Sequence, residues 1–153
     1  MRGENSVIIN RPAEDVFQFL SVPQNNELWM SMVVGTIRDA QGPVNVGATW
    51  KHQVKFLSRL FETAFEVVEF EPNYRYCVRN GAGPFSFYGC FTLEPVDGGT
   101  RFTHSIEGEP GNFFRFTDAI VERAARRQFS ADHTTLKELL EARVEQPRLQ
   151  PAR

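Results

Sequence analysis

From residue 47 to residue 107 the chain switches side-chain character at every second position, through segments separated by short breakers. A period of two marks strands with one buried face. The pattern predicts strands near 31–39, 47–56, 61–70, 74–80, 85–94 and 100–107. The breakers are Gly42-Pro43, 57–59, Pro72-Asn73, 81–84 and Asp97-Gly98-Gly99. Connections this short make an antiparallel meander. Trp50, His52, Val54 and Phe56 alternate with Thr49, Lys51, Gln53 and Lys55, so the aromatic set faces inward. A hairpin with Phe56 opposite Phe61 then sends Phe61, Thr63, Phe65 and Val67 to the same side. Carried round the later turns, the parity adds Tyr76, Val78, Phe85, Phe87, Gly89, Phe91, Leu93, Phe102, His104 and Ile106. The opposite face collects Arg75, Arg79, Thr92, Glu94, Arg101, Thr103 and Glu107, so the sheet has one wet side and one aromatic side.

The flanking segments are helical. Ser6–Asn10 reads as a short strand, followed by Pro12 at a helix start with Glu14 and Asp15 in the first turn. Val16, Phe17, Phe19 and Leu20 give that helix a buried side, and a second short helix runs from Pro23 to about Trp29. From Asn112 to about Val144 there is no Pro or Gly, which predicts one long helix. Its apolar positions Phe113, Phe116, Ile120, Ala124, Phe129, Leu136, Leu139 and Leu140 drift round the axis. The drift implies a bend or a change of packing partner near 125–129. Only this helix can cover the aromatic face, and its Phe- and Ala-rich first half leaves room for a cavity beneath it.

Composition limits the partners. The chain has 153 residues, the size of one domain. Its 17 basic and 19 acidic residues leave a net charge of −2, which gives no general pull toward nucleic acid or anionic lipid. The apolar runs are too short for membrane insertion, and Met1–Val7 lacks the apolar stretch of a secretory signal. Two cysteines cannot build a disulfide framework or a four-thiolate zinc site, and a cytoplasmic setting is expected. By the same parity Cys77 and Cys90 share the outer face of adjacent strands as diagonal neighbours, too far apart to bridge, so two free thiols are expected. No Walker, Gly-x-Ser-x-Gly or His-Glu-x-x-His run is present, and 81–84 joins two strands, so it is no phosphate loop. Arg115, Arg123, Arg126 and Arg127 read as a solvated helix face.

The order of elements and several motifs resemble the START-like (SRPBCC) superfamily, in its polyketide cyclase/dehydrase and lipid-transport branch. The likeness is carried by 9–17 (INRPAEDVF), Trp29, Val46-Gly47, 65–72 (FEVVEFEP), 91–101 (FTLEPVDGGTR) and 136–140 (LKELL). It spans roughly residues 5 to 143. The resemblance implies an α+β helix-grip fold: a seven-stranded curved antiparallel sheet wrapped round a long C-terminal helix, with two short helices after the first strand. One domain is expected over 1–145, and the two prolines among polar residues at 146–153 read as a flexible tail. It also implies a hydrophobic cavity for sterols, polyketides, fatty acids or similar molecules, without choosing between carriers, cyclases and regulators of other proteins.

The expected cavity wall is Trp50, His52, Phe65, Tyr76, Phe87, Phe91, Phe102, His104, Phe116 and Ile120. His52 and His104 either donate to a ligand or shuttle protons, or are core histidines satisfied by neighbours. The strand order of the resembled fold sets them four strand spacings apart, about 19 Å, which excludes a shared metal. No cofactor and no metal are expected. His133, next to Asp132 on the helix, reads as a surface residue, and no Asp or Glu is expected on the inward face. The first expectation is a protein that binds or carries a small hydrophobic molecule, as a monomer or homodimer. The alternatives are a polyketide cyclase, aromatase or dehydratase using the same cavity, and a protein-interaction regulator. A regulator would need an exposed apolar patch, whereas the outer strand faces read as charged.

Overall fold

The computed structural model describes residues 2–39, 42–56, 58–82, 86–109 and 119–143. Seven strands form one antiparallel sheet: β1 (Arg2–Ile9), β2 (Val33–Arg38), β3 (Thr49–Phe56), β4 (Arg59–Glu71), β5 (Arg75–Ala82), β6 (Ser86–Val96) and β7 (Gly99–Glu109). Their order across the sheet is β1-β7-β6-β5-β4-β3-β2, so β2 to β7 form a meander and β1 closes against β7. Helix α1 (Ala13–Leu20) and, after a 3-10 turn at Pro23–Asn25, the single-turn α2 (Asn26–Trp29) follow β1. The long helix α3 spans Ala119–Ala142. This is the α+β helix-grip architecture. The tail at 146–153 lies outside the described residues.

The alternation sorts side chains as expected. Trp50, His52, Val54, Thr63, Phe65, Val67, Tyr76, Phe91, Leu93, Phe102 and His104 are all buried. Pro12 caps α1 from outside, and Val16, Phe17, Phe19 and Leu20 turn into the core. Two local irregularities change the expected registers. The β3–β4 turn closes tighter, with Phe56 opposite Arg59 and Phe61 opposite Val54. Ser58 takes a left-handed backbone there (φ 64°). A shift of two residues preserves parity, so the inward set survives. In β4 the register with β5 slips between Val67 and Glu69. That bulge inserts Val68 and turns Phe70 inward, 5.2 Å from the Phe17 ring and 5.6 Å from Tyr76.

Cys77 lies directly opposite Cys90, not diagonal to it, with a Cα–Cα distance of 4.2 Å. The two form a disulfide, which corrects the expectation of free thiols. A directly opposed pair comes within bridging reach where a diagonal one does not. Arg75 and Tyr88 both bond Glu69 on this outer face, and Arg75 also contacts the Cys90 sulfur.

Helix α3 grips the sheet with one end. Asp132, His133, Leu136 and Leu140 are buried, whereas Ile120 is 74% exposed and Ala124 is exposed. The helix runs unbroken through 125–129, so the change there is one of packing partner. Its expected start, with Phe113, Arg115 and Phe116, lies outside the described residues. Three contacts fasten the buried end. Arg11 donates to the Leu140 carbonyl (2.8 Å), Lys137 to the Ile8 carbonyl (2.6 Å), and the Asn10 N–H to Glu141 (2.9 Å). Arg11 is itself held by Asp15 at 2.8 Å.

Candidate functional site

Between the aromatic face of the sheet, α2 and α3 lies a cavity of about 400 Å³. Trp50, His52, Phe65, Tyr76, Phe87, Phe91 and His104 line it. Phe102 is fully buried but packs behind the wall against Trp29 and Phe91, and is not part of the lining. Ile120 is outside the lining and Phe116 outside the described residues. The rings form a continuous surface. Trp50 stacks on Phe65 (5.8 Å, 17°) and Tyr76 on Phe91 (5.7 Å, 13°), while Trp29 meets Phe91, His104 and His133 at about 6 Å. Arg2, Glu4, Glu122 and Arg126 also line the space but are exposed, so charge gathers at the rim and rings inside.

His52 is held by the protein on both nitrogens. Trp50 Nε1 donates to His52 Nε2 at 3.1 Å, and an indole N–H can only donate, so Nε2 is the acceptor and the proton sits on Nδ1. The same lone pair receives Asn26 Nδ2 at 3.2 Å, while Nδ1 meets Thr36 Oγ1 at 3.0 Å. Burial lowers the His52 pKa to about 4, against a smaller opposing effect of the Gly35 backbone. The ring is neutral at pH 7.

His133 is not a surface residue. It is 1% exposed and faces the cavity, because it falls between Phe129 and Leu136 at helical spacing. Asn5 Nδ2 donates to its Nδ1 (2.7 Å), which makes His133 Nε2 the donor to His104 Nδ1 (2.8 Å). With that orientation of the Asn5 amide, the proton of His104 sits on Nε2. Among the described residues, His104 Nε2 is the one nitrogen of the three buried imidazoles without a hydrogen bond to the protein. Burial lowers the His133 pKa to about 4. Burial, and secondarily the charge of His133, lowers that of His104 well below the ordinary histidine value. Burial also raises the Tyr76 phenol. One carboxylate does reach the inner side: Asp132 is 8% exposed, lines the cavity and accepts from Gln128 at 2.9 Å.

Sequence reasoning missed Asn5, Asn26, Asp132 and His133, and it used Trp29 only as a motif residue. For His133 the signal was available in its spacing from Phe129 and Leu136. For Asn26, on a single-turn helix, no periodicity exists to read. The grouping of Glu69, Cys77 and Cys90 on the outer face has ligand-type atoms close together, but sulfurs bonded to each other are not thiolate ligands.

The family described as polyketide cyclase/dehydrase and lipid transport matches residues 2–141. The chain belongs to this family. No curated protein matches it in sequence. Solved structures share its fold at low identity. A Thermus thermophilus protein, TTHA0849, is 15% identical over 95% of this chain and 100% of that one, with a TM-score of 0.79. Ara h 8.0201 is 11% identical over 93% and 98%, with a TM-score of 0.68. The di-domain ARO/CYC BexL from the BE-7585A biosynthetic pathway is 15% identical over 95% of this chain, with a TM-score of 0.71. This chain spans 48% of BexL. Among the described residues no helix is long and apolar enough to cross a membrane.

Proposed function

We propose that this protein binds a small hydrophobic molecule inside the cavity between its sheet and α3, as a carrier or sequestering protein. The observation that carries the reading is the ring-lined space of about 400 Å³, whose charged lining residues other than Asp132 are exposed at the rim. Desolvating an apolar guest against those rings supplies about 25 cal/mol per Å² of apolar surface buried, before ordering costs. Membership in a family described by lipid transport as well as cyclase and dehydrase activity supports it. The test is titration with N-phenyl-1-naphthylamine, an uncharged apolar fluorophore, together with native mass spectrometry of freshly purified protein. Saturable one-site enhancement, or a retained small molecule, is expected. Absence of both overturns the proposal.

A second reading, a cyclase or dehydratase type of enzyme, rests on a separate observation. His104 lines the cavity with one nitrogen uncommitted and its other nitrogen oriented by His133. A neutral imidazole so placed is equipped to move a proton on an enolisable ligand. Turnover of a poly-β-ketone model compound that is lost in His104→Ala, while fluorophore binding persists, would favour this reading over simple carriage.

A further inference from the structure

Among the described residues, Asp132 is the one Asp, Glu, Lys or Arg that the fold buries, and it is 8% exposed. Ala125, Phe129 and Asp132 succeed one another at steps of four and three residues, so they share a face of α3, and all three line the cavity. The carboxylate has one partner, a neutral one: Gln128 Nε2 donates to Oδ1 at 2.9 Å. Oδ2 has no hydrogen bond and no ion pair to the protein. It is not sealed in either, unlike Asn26 Oδ1, Trp29 Nε1 and Arg38 Nε, which lack partners and have essentially no accessible surface.

A carboxylate held away from water is costly unless a cation or several donors meet it. The protein supplies no cation here. On α3, Arg126 is committed to Glu122 at 3.1 Å and Lys137 to Glu141. His133, next in sequence, is kept neutral by burial and is bonded to Asn5 and His104. The rings of the wall act in the same direction, because the face of an aromatic ring attracts a cation and repels an anion. The interior therefore presents a negative carboxylate among ring faces, with an oxygen left to accept.

From this arrangement we infer that the occupant of the cavity is an apolar amine, protonated at neutral pH, whose N–H donates to Asp132 Oδ2 while its body lies among the rings. The inference rests on the reading of the cavity as a binding site and adds the charge of its guest. It separates amines from neutral apolar molecules, and it disfavours fatty acids, whose carboxylate would meet Asp132 as a like charge. An ammonium gives up its water on entering such a space, so the carboxylate that replaces that water decides whether it binds.

The test uses three probes on one ring system: 1-naphthylmethylamine, 1-naphthalenemethanol and 1-naphthoate, which are cationic, neutral and anionic at pH 7. Calorimetry is expected to show the amine binding roughly tenfold or more tighter than the alcohol, with the naphthoate weakest. In Asp132→Asn, which keeps an oxygen for the Gln128 amide and removes the charge, the amine-to-alcohol ratio should fall to about one or below. A second readout uses the unaltered protein. A pair formed inside the cavity is screened little, so the amine preference should persist between about 50 and 500 mM NaCl, where a contact with the exposed Glu4 or Glu122 would lose it. An amine no tighter than the alcohol, a preference that survives Asp132→Asn, or one that salt abolishes overturns the inference and leaves the cavity reading standing. Failure of all three probes to bind overturns the inference alone, because N-phenyl-1-naphthylamine and native mass spectrometry test the cavity itself.

Discussion

His104 Nδ1 and His133 Nε2 are hydrogen-bonded at 2.8 Å inside the core, linking the sheet to the long helix through two imidazoles that burial keeps neutral. Acid must break this arrangement. Because the folded pKa values of His52 and His133 are lowered to about 4, the unfolded chain takes up protons near pH 6.5 that the folded protein refuses. Stability is therefore full above about pH 6.5 and is lost as pH falls from there toward 4. For buried groups with shifts of this size the loss is up to roughly 3 kcal/mol each. Urea denaturation at pH 7, 6 and 5.2, above the range where most carboxylates titrate, should show falling midpoints. An unchanged midpoint across that series contradicts the burial of neutral imidazoles.

His52 lines the cavity with both ring nitrogens engaged by the protein. Its removal leaves the Trp50 indole N–H and the Asn26 amide N–H without their acceptor in a closed interior. An unsatisfied buried donor costs about 1–3 kcal/mol, and the vacated ring adds a cavity term. His52→Ala should lower unfolding stability by about 3–5 kcal/mol in urea titrations. A loss below about 1 kcal/mol would mean that these bonds contribute little.

The Cys77–Cys90 bridge ties β5 to β6 across a sequence separation of 13 residues. Closing a loop of that size removes unfolded-state entropy worth about 3 kcal/mol, and the outer sheet face loses no cavity function with it. The double variant Cys77→Ala/Cys90→Ala should unfold about 2–3 kcal/mol more easily and still bind N-phenyl-1-naphthylamine. Unchanged stability, or thiol titration finding two free sulfhydryls in the purified protein, would show the bridge to be unformed.

The wall was legible wherever one physical rule acted alone. Period-two alternation placed Trp50, Phe65, Tyr76, Phe91 and His104 correctly, because a strand with one buried face leaves each side chain a single choice of side. The rule failed where a local irregularity changed the count. The Val68 bulge brought in Phe70, and the Cys77–Cys90 register is set by the pairing of β5 with β6, which residue types alone do not determine. On α3 the error ran both ways. Extending the apolar stripe to Ile120 assumed sheet beneath the whole helix, while treating His133 as polar overlooked its place in the series 129, 133, 136 and 140. Polar groups such as Asn5 and Asn26 became visible only when the fold supplied their partners.

Gly89 offers the cleanest way to close the cavity without disturbing the sheet. It lies on the inward face of β6, between Phe87 and Phe91, and lines the space. A Cβ added there comes no closer than 3.7 Å to any heavy atom, the Ser105 carbonyl oxygen, which is ordinary contact. A leucine at this position therefore projects into room that is already present. Filling it buries apolar surface at about 25 cal/mol per Å², so Gly89→Leu should keep or raise the melting temperature. The same side chain occupies volume that a guest needs, and N-phenyl-1-naphthylamine affinity should fall at least about tenfold, equivalent to ~1.4 kcal/mol. Binding that survives in a well-folded Gly89→Leu variant would place the guest somewhere other than beneath the aromatic face.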